Sequence, residues 1–140
     1  MNKTIRLFSL LLLLATGAAQ ADLAIITSPQ SGIGKISIEQ LQRLYLHKAD
    51  RFPNAVRLYP IDQHKGTPAR TEFLQKVLGM SENQLSQYWS RRMFSGRGKP
   101  PRVFDSDARV IEEVLTHVGT VGYVEADSVD DRVRVLLRLP

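Results

Sequence analysis

Two short stretches carry residue types from which an anion site is built. One is His64-Lys65-Gly66-Thr67-Pro68 with Arg70 just beyond, and the other is Trp89–Arg102, WSRRMFSGRGKPPR. In the first, Gly66 lets the backbone approach a ligand closely, Thr67 offers a hydroxyl, and His64, Lys65 and Arg70 offer positive charge. If a helix opens at Pro68, its free N–H groups and dipole also favour a negative ligand. In the second, Arg91, Arg92, Arg97, Lys99 and Arg102 form the densest cationic group in the chain. Ser95-Gly96-Arg97-Gly98 could curl into a nest of amides for an oxyanion. Arg91 and Arg92 are adjacent and point different ways on a helix, so at most one faces a cleft. Arg92 and Arg97 are the candidate ligands there. The plainer readings are an ordinary strand-to-helix turn and a solvated basic loop.

Other chemistries find less support. His47, His64 and His117 are far apart with no ligand spacing, so no metal site is expected, and nothing calls for a cofactor. Glu112-Glu113 and Asp130-Asp131 are neighbours of solvated-surface type and do not make an acid/base pair. Ser28 and Ser31 lack a nucleophile-elbow context. Tyr88, Trp89 and Phe94 resemble a sugar-stacking platform, but at helical spacing such aromatics are more often core anchors. The chain is expected not to be an enzyme.

The first residues address the compartment. Lys3 and Arg6 precede an apolar run, Leu7–Ala15, and Ala19-Gln20-Ala21 fits a small-x-small cleavage site. A leader over residues 1–21 predicts export to the periplasm, with residues 22–140 as one domain that is not embedded in the membrane. Cysteine is absent from the sequence, so neither a lipid anchor nor a disulfide is expected, and the core must suffice alone. The formal net charge of +5, less the two leader cations, suits small oxyanions, lipid headgroups or surface polyanions. Export argues against nucleic acid.

The elements that must position these residues alternate. Leu23–Thr27 reads as a strand buried on both faces. Ser37 with Gln40 is a capping box for a helix with Ile38, Leu41, Leu44 and Tyr45 on its buried face. Residues 55–61 are rich in strand formers, with Pro60 confining them to an edge or a strand end. Asp62–Thr67 is expected as a loop, and Pro68 begins a helix that Gly79 stops. Ser81 and Gln84 repeat the capping box, with Leu85, Tyr88 and Trp89 facing inward. Arg102–Phe104 reads as a brief extended piece. Asp105-Ser106-Asp107 caps a further helix, and Val121–Val124 and Val133–Leu137 close the chain as strands. This order favours an α/β layer with helices packed on a parallel or mixed sheet. Ligands in such sheets sit beyond the carboxyl ends of strands, where the His64–Thr67 loop falls.

Taken in order, several segments resemble the phosphate-binding, type 2 periplasmic-binding-protein-like family, the solute receptors of phosphate ABC transporters. They are residues 36–41 with Leu44-Tyr45-Leu46, Gly66-Thr67 with Arg70 and Phe73, Tyr88-Trp89, Phe94-Ser95-Gly96, Pro100-Pro101 and residues 118–124. The resemblance implies one lobe of a receptor whose full form has two lobes closing on the anion. It implies oxyanion contacts at Gly66 and Thr67, where the family carries a Ser-Gly-Thr segment at a helix start and this chain has Lys65-Gly66-Thr67. The family's arginine shortly before that segment is replaced by Pro60-Ile61-Asp62, leaving Lys65 or Arg70 to supply the charge. The expected ligand is inorganic phosphate or a similar oxyanion, with an ABC permease as partner, or a homodimer providing the second wall. The competing expectation is an interaction module that keeps the fold and docks on an envelope sensor or porin without a transport role.

Overall fold

The computed structural model describes residues 21–52 and 56–140. The leader expected over residues 1–21 lies outside the described residues except for Ala21, as does Ala55 at the start of the expected second strand. Leu23–Thr27 forms β1, buried at every position. It lies between the last two strands, β4 (Thr120–Glu125) and β5 (Arg134–Leu139), antiparallel to both. On the far side of β4, β2 (Tyr59–Gln63) and β3 (Arg102–Phe104) continue the sheet in parallel, giving the order β3-β2-β4-β1-β5. The fold is a mixed five-stranded sheet flanked by helices, as the element order predicts.

Successive strand side chains point to opposite faces, and β1 divides accordingly. Leu23 and Ile25 pack with Leu41 and Leu44 of α1 (Ile38–Tyr45) and Phe73 of α2 (Pro68–Phe73). Ala24 and Ile26 pack with Val110, Ile111 and Val114 of α4 (Asp107–Thr116). α3 (Glu82–Phe94) forms an outer layer, its Leu85 and Trp89 meeting Leu46 and Leu74. Gly122 sits where α4 crosses β4, and a Cβ there would lie 2.6 Å from Val110 Cγ1.

Helix ends follow the local sequence. Both capping boxes form, Ser37 with Gln40 and Ser81 with Gln84. Pro68 opens α2, which widens into a π turn over Leu74–Leu78 before Gly79 ends it at φ 60°. The second strand departs from expectation at both ends. Residues 56–58 fold back on the preceding segment, with the Leu58 N–H donating to the Asp50 carbonyl at 3.0 Å and Arg51 bridging Arg57. β2 therefore starts at Tyr59, and Pro60 sits beside β4 before β3 begins pairing at Ile61. At the other end, Asp62 and Gln63 belong to the strand and not to the loop. They are tolerated in a buried strand because both side chains are hydrogen-bonded.

Candidate anion site

The turn from β2 into α2 is closed by its own hydrogen bonds. The His64 N–H donates to the Phe104 carbonyl at 2.9 Å, extending the pairing with β3 by one residue. Gly66, at φ 94°, then reverses the chain so that the Thr67 N–H reaches the His64 carbonyl at 3.2 Å. Thr67 caps α2, with Oγ1 accepting from the Arg70 N–H at 3.3 Å and donating to the His64 carbonyl at 3.1 Å. The hydroxyl expected to face a ligand therefore has both of its functions used within the turn.

Arg70 holds the end of β2 to the start of α3. Its Nη1 donates to Asp62 Oδ2 at 2.8 Å and to the Gln63 carbonyl at 3.0 Å. Nε and Nη2 grip the two oxygens of Glu82 at 2.9 and 2.8 Å. This is a planar fork matched to a carboxylate, the arrangement lysine cannot reproduce. The hydrogen bond from Arg70 holds the Glu82 carboxyl below its usual value, and the same bond raises Arg70 further above its own. The other Asp62 oxygen accepts from the Tyr123 hydroxyl and the Gln63 N–H. Burial, then the charge and hydrogen bond of Asp62, push the Tyr123 phenol well above its ordinary 10.0. Burial does the same to Tyr45, whose hydroxyl lies 2.7 Å from the Ile61 carbonyl. Beneath this network the Phe73 and Tyr123 rings stack at 4.0 Å.

A cleft of about 430 Å³ runs along α3 from this network, between the helix and the β2–β3 edge. Of the seven residues expected at the site, Lys65 and Arg70 line it. Lys65 is exposed, and among the described residues its ammonium has no hydrogen-bond or ion-pair partner. His64, Gly66 and Thr67 form the turn behind the cleft. Asn83, Ser86 and Ser90 line its helical wall. Sequence reasoning misses these three, although their spacing places them on one face of α3, a polar stripe beside the apolar Leu85–Trp89 face.

Arg92 and Arg97 do not line this cleft. Arg92 lies at the opposite end of α3, where Nη2 donates to the His47 and Arg97 carbonyls, both at 3.1 Å, and its guanidinium stands over Tyr88. Nor do residues 95–98 form an anion nest. The N–H groups of Ser95, Gly96 and Arg97 turn back to the carbonyls of Arg91, Met93 and Arg92, closing the helix. Trp89 is a core anchor as expected, and Tyr88 is half-buried with its hydroxyl on the Leu46 carbonyl. Phe94 is not in the core: it is 98% exposed. At this end lies a second, more apolar cavity of about 700 Å³, between Trp89, Tyr59, Val118 and the Pro100-Pro101 segment.

No protein-family model matches the chain, and no curated protein sequence matches it significantly. Its fold is similar to that of solved phosphate receptors. An ABC-type phosphate transport receptor from Vibrio cholerae superposes with a TM-score of 0.66 at 18% identity, covering 84% of this chain and 46% of that one. A Clostridium perfringens protein described as a phosphate ABC transporter substrate-binding protein, with phosphate bound, gives 0.64 at 17%, covering 83% and 45%. PstS from Borrelia burgdorferi gives 0.62 at 17%, covering 83% and 47%. The chain spans less than half the length of these receptors. Among the described residues no helix is long and apolar enough to cross a membrane.

Proposed function

We propose that this chain is a periplasmic binding protein for phosphate or a similar oxyanion, serving phosphate ABC transport. The observation that carries the reading is the likeness of the described fold to phosphate receptors, including one with phosphate bound. The cleft beside the end of β2 supplies chemistry of the right kind. Lys65 provides the positive charge, beside the Arg70-bound carboxylate of Glu82, and Asn83, Ser86 and Ser90 provide donors on the facing wall. Arg70 and the turn at His64, Gly66 and Thr67 position Lys65 and the start of α2. Arg70 acts through Asp62 and Glu82 rather than as a free ligand. The leader at residues 1–21 delivers the domain to the periplasm. The wall that closes on the anion comes from a second copy of the chain.

The test is the thermal midpoint of residues 22–140 during a phosphate titration, against sulfate and chloride at matched ionic strength. A ligand that binds only the folded state at about a hundredfold excess over Kd adds roughly 2.7 kcal/mol. The expected outcome is a saturable rise with phosphate that Lys65→Gln removes without lowering the unliganded midpoint. A midpoint unmoved by millimolar phosphate overturns the reading in favour of the interaction module.

A further inference from the structure

The end of the molecule opposite the Lys65 turn carries features the proposed receptor role does not use. α3 is 13 residues long, about 20 Å, and it separates the Arg70–Glu82 contact from Phe94. Phe94 is 98% exposed at the C-terminal turn of α3, an orientation with no packing explanation. Tyr59 and Val118, 51% and 56% exposed, line the apolar cavity at the same end, beside the starts of β2 and β4. Cations surround them. Arg91 precedes Phe94 by one helical turn, Arg97 and Lys99 follow it, and Arg57 stands over the Tyr59 ring at 5.5 Å. From Asn83 through Phe104 there is no acidic residue. The acids that reach this end are ion-paired: Glu113 with Arg102, and Asp50 with Arg57.

We propose that this end docks on an anionic phospholipid surface, with Phe94 entering the interface and the surrounding cations facing headgroups. Aromatic side chains interleaved with Lys and Arg suit a surface apolar below and negatively charged above. Arg97 and Lys99 lie on a glycine-containing loop, with Arg91 on the last turn of α3, a diffuse positive field that matches a field of headgroups. A protein partner would call for an anchor seated in a pocket, whereas Phe94, with Met93 beside it, projects into solvent from the end of α3. The inference is independent of whether the Lys65 cleft binds phosphate.

The experiment is co-sedimentation of residues 22–140 with vesicles of phosphatidylglycerol and phosphatidylcholine, against phosphatidylcholine alone. Binding is expected only to the anionic vesicles, and weakening with salt. Phe94→Ser should reduce it while leaving the thermal midpoint unchanged, because the ring is exposed. Arg97→Gln and Lys99→Gln should each lower the partition coefficient about fivefold. Lys65→Gln should leave it unchanged, and so should millimolar phosphate at constant ionic strength. Equal retention of the parent by both vesicle types overturns the proposal, as does undiminished binding by Phe94→Ser and the two Gln variants. Capture by soluble polyglutamate without retention by vesicles also overturns it, in favour of an acidic protein partner.

Discussion

Without the Arg70 guanidinium, Asp62 would keep its charge beside the core unpaired, and Glu82 would keep only the field of Lys65. Arg70→Met is therefore expected to cost about 3–5 kcal/mol, read as a fall in the urea midpoint. Arg70→Lys should recover only part of this, since an ammonium cannot span Asp62, the Gln63 carbonyl and both Glu82 oxygens at once. Tyr123 makes a separate prediction. Its phenol is raised above 10.0 in the folded protein, as is that of Tyr45. Below that value both states keep the proton and the contribution to stability is complete. As pH rises past it, the unfolded chain loses protons that the native state retains, and stability falls. An alkaline titration should show the phenolate absorbance of Tyr45 and Tyr123 appearing together with loss of structure, and not before it.

Elements differ in how far their positions could be read from sequence. The caps of α1 and α3 were legible because each is made within four residues, Ser37 to Gln40 and Ser81 to Gln84, whereas the Thr67 cap of α2 was taken for a ligand hydroxyl. The ends of β2 were not. Its start depends on residues 50–52 pairing with 56–58, and the strand character of Asp62 and Gln63 depends on partners at Arg70, Asp107 and Tyr123. The candidate site shares that divide. Lys65 was legible as a cation in a glycine turn. The commitment of Arg70 to two carboxylates was not, because Glu82 arrives only when α3 docks. Phe94 misled for a different reason: it follows Trp89 by five residues, and at about 3.6 residues per turn that faces it away from the buried Leu85–Trp89 side. Packing of α4 on β4 gives the element-scale prediction. Gly122→Ala would place a methyl 2.6 Å from Val110 Cγ1 and 3.2 Å from Ile61 Cγ1. It should destabilise by about 1–3 kcal/mol through overpacking, measurable by denaturant unfolding.

At the scale of the whole molecule, the sheet joins the beginning of the described chain to its end. β1 lies between β4 and β5, and side chains reinforce the pairing across long separations. The Thr27 hydroxyl donates to the Thr120 carbonyl 93 residues away, and Arg134 donates to the Ile33 carbonyl 101 residues away. Neither neighbour of β1 exists until the final quarter of the chain has been made. Until then an apolar strand has nothing to pair with, and both clusters of the core lack their last strands. Contacts of such separation slow folding, because loop closure precedes any gain from pairing. In the export proposed above this ordering would have a use. It would keep the polypeptide threadable during synthesis, with the sheet registering only once β4 and β5 are through.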